Sequence, residues 1–184
     1  LGRAAFARLV TDPAPSFAFP SSGAVTNAEI LVWGGREYAF WIPAANWSFS
    51  VGGTSPADGV YAACCGVLSF GSPVGLARPA NLPCPGQTNA LLAPLWGGLD
   101  CVPGRSVLRC AATTNGGLLV AWERVAAGGD TNAEISIQTE LFPNGDFVCR
   151  YDIPPASSLL APGHTLTNFA VGFQNLGGGY SWAS

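Results

Sequence analysis

The spacing of chain breakers constrains this sequence more than any other feature. With 24 glycines and 15 prolines in 184 residues, most apolar runs are cut before they reach helical length. Between the breakers lie short segments rich in β-branched and aromatic residues, the pattern of strands joined by turns. Strands are read at Ala28–Trp33, Arg36–Ile42, Trp47–Val51, Val60–Cys64, Val67–Phe70, Leu92–Trp96, Ser106–Ala111, Gly117–Val125, Ala133–Phe142, Asp146–Ile153 and Asn168–Gln174. Only Ala4–Val10 has room for a helical turn or two, and Asp12-Pro13-Ala14-Pro15 ends it.

The clearest unit is a hairpin over Glu134–Ile153. Its first arm places Ile135, Ile137, Thr139 and Leu141 on one face. Pro143-Asn144-Gly145-Asp146 supplies the turn, because Asn-Gly accepts positive φ. The return arm separates Phe147, Cys149, Tyr151 and Ile153 from Val148, Arg150 and Asp152. Leu118, Val120 and Trp122 share a side of the preceding segment, so Trp122 is expected in the core. Many short strands without crossover helices predict an all-β, antiparallel β-sandwich of jelly-roll-like type. Residues 1–25 read as an N-terminal extension or linker and 26–184 as a single domain.

Composition narrows the setting. Hydrophobic residues make up 48% of the chain and charged residues only 10%, against roughly 25% charged in an ordinary soluble domain. So little charge implies a surface covered by sugar, sister domains or a partner chain. GC-rich coding accounts for part of the same bias, since every basic residue is Arg. The eight arginines are scattered and the net charge is −3, so nucleic-acid binding, which needs a concentrated positive face, is set aside. No apolar run has the length of a membrane helix. The absence of Met and the abrupt ends are read as those of a segment of a longer protein.

Cys64, Cys65, Cys84, Cys101, Cys110 and Cys149 are even in number, and the only histidine is His164. This favours disulfides over zinc, whose ligand spacings are missing. Adjacent Cys64 and Cys65 are expected to point to opposite faces and find different partners. Cys101 and Cys110 flank the turn at Pro103-Gly104-Arg105 and are the first candidates for a pair; the other pairings stay open. Asn46-Trp47-Ser48 is an N-glycosylation acceptor. Disulfides and a glycan together place the chain in the secretory pathway, outside the cell or on its surface.

Five segments, in order, resemble the nidogen-like secreted β-domains of bacterial exported proteins and eukaryotic matrix and surface proteins. Gly66-Val67-Leu68-Ser69-Phe70-Gly71 is similar to the family's NG(F/Y)(L/I)(S/T)FG strand, and Leu82-Pro83 with Asn89–Trp96 to its LP…PNALIAPFW block. Leu119–Val125, the hairpin through Asn144-Gly145-Asp146 and Tyr151, and Ala170–Asn175 continue the likeness. The resemblance implies a non-enzymatic β-sandwich of adhesion or extracellular assembly, with no shared catalytic residues. Two departures stand out. The acidic pair that follows the family's Trp is Gly97-Gly98 here, and the Asn before the first glycine is Cys65.

Catalytic patterns are weak. Ser157 or Ser158 with His164 and Asp152 would name a triad, but they lie by a Pro-rich loop without a nucleophile elbow. Carboxylates for glycoside hydrolysis would come from Asp58, Asp100, Glu123, Glu134, Glu140 and Asp146; Glu134 and Glu140 share parity with Ser136 and Gln138 and read as a solvated face. The Gly-Gly pairs at 34–35, 52–53, 116–117 and 128–129 read as hairpin tips, without the Lys of a phosphate loop. Trp33, Trp41 and Trp47 form a candidate sugar-stacking platform, although most tryptophans in such a domain are core; Asn46 places the Trp47 turn near the surface. The expected function is a non-catalytic structural or adhesive module of a larger cell-surface, flagellar-surface or matrix glycoprotein. It would pack against neighbouring domains or copies of itself, without metal or cofactor. The alternative is a carbohydrate-binding module.

Overall fold

A computed structural model describes residues 25–31, 39–45, 47–49, 58–74, 82, 84, 89–162, 169–174 and 181–183, the first and last of these as backbone alone. Two antiparallel six-stranded sheets account for almost all of its secondary structure. Sheet A contains β1 (Val25–Leu31), β6 (Leu99–Asp100), β7 (Val107–Thr113), β8 (Leu118–Ala127), β9 (Asp130–Leu141) and β10 (Phe147–Asp152). Sheet B contains β2 (Ala39–Pro43), β3 (Gly59–Ala63), β4 (Val67–Phe70), β5 (Ala90–Trp96), β11 (Ala170–Gln174) and β12 (Ser181–Ala183). A 3-10 turn at Ser158–Leu160 is the helical element among the described residues, and no helix there is long and apolar enough to cross a membrane.

The strand order is β1-β7-β8-β9-β10 in sheet A, with β6 on β8, and β12-β11-β5-β4-β3-β2 in sheet B. Consecutive strands β2–β5 and β7–β10 are therefore neighbours within one sheet. These are meanders, not the interleaved order of the jelly-roll type expected from sequence. The cause is local: tight turns return each strand beside its predecessor. Gly128 and Gly129, at φ 68° and 84°, form the two-residue loop that joins Ala127 to Asp130. At the β9–β10 turn only Gly145 has positive φ, 90°. Gly145 N–H donates to the Phe142 carbonyl, and Asn144 Oδ1 accepts from Asp146 N–H.

The inward faces of the two sheets share one core. From sheet A it takes Leu108 and Cys110, then Leu118, Val120 and Trp122, then Ile135, Ile137 and Leu141. Val60, Ala62 and Cys64, Leu68 and Phe70, and Ala90, Leu92 and Leu95 face them from sheet B. Side-chain hydrogen bonds link the sheets directly. Trp122 Nε1 donates to the Ala63 carbonyl at 2.9 Å, and Tyr151 Oη donates to the Pro94 carbonyl at 2.6 Å. The hairpin faces and the core position of Trp122 agree with the sequence reading.

Bulges break the alternation where single residues must turn. Arg124 adopts φ 54° at a register shift between Trp122 and Val125, so both of these reach the core. Two serines hold the bulge: Ser136 Oγ accepts from Arg124 N–H, and Ser106 Oγ donates to the Arg124 carbonyl. Ser136 and Gln138, expected on a solvated face, are buried for this reason or beside Arg150. Trp47 is buried too, its Nε1 donating to the Pro43 carbonyl at 2.9 Å. The Trp47–Val51 strand does not form over the described residues 47–49, while β6 and β12 are additional.

Sheet B has a second core on its outer face. Ala63, Cys65, Val67, Leu91, Ala93 and Trp96 pack there with Val74, Leu82 and Cys84. Gln174, fully buried, fastens the residues before β5: its Oε1 accepts from Cys84 N–H at 2.6 Å and its Nε2 donates to the Asn89 carbonyl at 3.0 Å.

Candidate functional site

The cysteines divide between the two cores. Cys64 and Cys110 line the inter-sheet core, with Cys101 packed against it. Cys65 and Cys84 lie in the outer core of sheet B. Adjacent Cys64 and Cys65 thus point to opposite faces, as their spacing predicts. No disulfide joins any two of the six in this structure. The Cys101–Cys110 hairpin pair does not fit the register. Cys101 Sγ sits 3.9 Å from the Ser106 carbonyl, whereas Cys110 lies four residues beyond Ser106, about 13 Å along an extended strand. Bridged cysteines need Cα atoms within about 7 Å. Cys110 and Cys149 share the cross-strand row Cys110–Val120–Thr139–Cys149, but about 14 Å of strand spacing separates them.

Burial makes these thiols poor nucleophiles, because it disfavours the thiolate. It pushes Cys65 up to about 12, against the opposing effects of hydrogen bonds with its backbone and the Trp96 side chain. It raises Cys149 to about 11, with Thr139 and Arg150 opposing.

Ser157 and Ser158, weighed above and set aside as nucleophiles, have structural partners. Ser157 Oγ donates to the Glu134 carbonyl and accepts from Leu159 N–H, capping the 3-10 turn. Ser158 Oγ donates to Asp130 Oδ2 at 2.6 Å, while Asp152 stands opposite Ser136 on edge strand β10. His164, Asn46 and Trp33 lie outside the described residues. On the outer face of sheet A, Glu123 pairs with Arg109 at 3.1 Å and Glu140 with Arg150 at 3.0 Å. Glu134 pairs with both Arg124 and Arg105, at 3.0 and 3.5 Å. Burial raises the Glu123 carboxyl above its ordinary value and Arg109 opposes it. Among the described residues, no group of three or more His, Cys, Asp or Glu is placed to hold a metal ion. Gly97, in place of the resembled family's acidic pair, is packed by Phe169: a Cβ there would lie 2.1 Å from the ring. That position has no room for a carboxylate.

Of the two candidate platform tryptophans among the described residues, Trp47 is buried and Trp41 is exposed. Its indole is 42% exposed, and its ring centroid lies 4.7 Å from that of Tyr61, with the rings tilted by 49°. Trp41 and Tyr61 are cross-strand partners on the outer side of β2 and β3. Gly59 makes this possible: a Cβ there would lie 2.9 Å from Trp41 Cζ2 and Cη2. The indole leans over the glycine backbone. Tyr61 was missed from sequence because its proximity to Trp41 depends on the β2–β3 register, which no local motif announces. The chain matches no known protein family, no curated protein and no solved structure.

Proposed function

We propose that this chain is a non-catalytic, disulfide-stabilised β-sandwich module of a larger extracellular or cell-surface glycoprotein. It acts by packing against neighbouring domains or copies of the same protein. The observation that carries this reading is the distribution of charge. None of the six strands of sheet B contains a charged residue. The scarcity of charge across the chain is therefore concentrated in one sheet. Val74, Leu82 and Cys84 cover part of its outer face, while Trp41 remains exposed beyond them. An uncharged, partly aromatic surface of this kind suits contact more than solvent.

The six cysteines, the Asn46 sequon and the resemblance to nidogen-like domains support the extracellular setting. Cys84 is the one cysteine that shares a core with Cys65. The test is alkylation of the secreted protein under denaturing, non-reducing conditions, followed by mass spectrometry. Fewer than six labelled thiols, with disulfide-linked peptides, are expected. Six labelled thiols would sink the disulfide and compartment parts of the reading together.

A second reading, a carbohydrate-binding module, is favoured by exposed Trp41 and its half-buried cross-strand partner Tyr61.

A further inference from the structure

We infer that the outer corner of sheet B around Trp41 and Tyr61 is a binding site for a neutral hexopyranose. This rests on the carbohydrate-binding reading and assigns its site and ligand class. The floor comes from two positions without side chains. The β3–β4 register pairs Tyr61 with Ser69, and Ser69 Oγ donates to the Ser72 carbonyl at 2.8 Å, which holds the Gly71-Ser72 bend beside the row that starts at Tyr61. Trp41 leans over Gly59 from one side. On the other, Asn89 stands against Gly71, where a Cβ would lie 3.3 Å from Asn89 Oδ1. Asn89 Nδ2 donates to the Ser72 carbonyl at 3.2 Å and to Ser72 Oγ. Gly71 and Ser72 are exposed and Asn89 is half-buried.

An aromatic wall thus faces an amide-and-hydroxyl wall across a glycine floor. The chemistry of each wall names the ligand. A pyranose has an apolar face of C–H groups, which stacks on an indole, and a rim of hydroxyls that exchange hydrogen bonds with amides and hydroxyls. Among the described residues the walls supply no ionic partner: Trp41, Tyr61, Ser72 and Asn89 are all uncharged, and so are the strands of sheet B. Acidic sugars and charged peptides would be desolvated here without compensation.

The test uses an array of neutral and acidic oligosaccharides, with binding followed by titration calorimetry and sedimentation measured in parallel. Binding to neutral hexose-terminated glycans is expected. Trp41→Ala and Asn89→Ala should each weaken it at least tenfold while keeping the parent's far-ultraviolet circular dichroism and cooperative thermal unfolding. Val148→Ala, at the exposed edge of sheet A, should bind like the parent. Selective binding of acidic glycans, no glycan binding by the folded protein, or unchanged binding in both site variants overturns the site. So does a dimer that Trp41→Ala dissolves without any glycan affinity, because the aromatic corner is then a contact between copies. That last result would leave the packing reading standing, whereas six free thiols in the secreted protein would weaken the packing module's setting without touching the sugar site.

Discussion

The outer face of sheet A carries Arg109, Glu123, Glu134, Glu140 and Arg150 in ion pairs; the outer face of sheet B carries an apolar core and an aromatic corner. Both faces are strongly buried in places, but by different means. On sheet A, polar side chains are accommodated by pairing with each other, as Arg150 does with Glu140 and Gln138. On sheet B, Val74, Leu82 and Cys84, which precede β5 in the chain, pack on the strands and supply apolar partners. The contrast teaches that a sheet face can be satisfied from within its own strands or by a separate segment, and that only the second arrangement makes distant sequence interdependent.

The comparison breaks most readily at the tryptophans. Trp122 anchors the inter-sheet core and Trp96 the outer core, and neither is exposed to solvent. Trp122→Ala and Trp96→Ala are each expected to cost about 3–5 kcal/mol in urea denaturation. A loss below about 1 kcal/mol for Trp96→Ala would show that the covering of sheet B contributes little to stability. Gln174→Ala comes next. It leaves the Cys84 amide and Asn89 carbonyl without their side-chain partner, and a cost of about 1–3 kcal/mol is expected, with faster hydrogen exchange at Cys84.

The smallest effect belongs to sheet A. Glu123 has its folded-state pKa raised by burial, so its contribution is fully present below the unfolded value, near 4.5. It is lost as pH rises through the folded value. Glu123→Gln should therefore flatten the pH dependence of stability over that window, with a change at neutral pH below about 1 kcal/mol. A steeper dependence in the variant would reverse the assignment.

How far the sequence carries depends on whether a signal is local. Ile135, Ile137 and Leu141 announce their face by alternation, and Gly128-Gly129 announces its turn by residue type. Strand β5 does neither. Its burial is continuous from Ala90 to Trp96, and such a run reads as buried without telling what covers it. Pro94 marks where its faces switch: Leu92 and Leu95 enter one core, Ala93 and Trp96 the other. Polar burial misleads in the same way. Ser136 looks solvated in sequence because the group it satisfies, the Arg124 amide, sits at a bulge on the next strand. The candidate sugar site was half legible: Trp41 was one of three candidate tryptophans, but its tyrosine partner, its glycine floor and its Asn89 wall come from three other segments.

Cys64 and Cys65 occupy one turn, and each enters a different core. Around that turn, Trp122 bonds to the Ala63 carbonyl and Gly97 N–H donates to the Cys65 carbonyl. The two cores therefore meet at one peptide, so a disturbance of either reaches the other through Cys64 and Cys65. A domain wired in this way should melt as one cooperative unit and resist the partial opening that invites proteolysis.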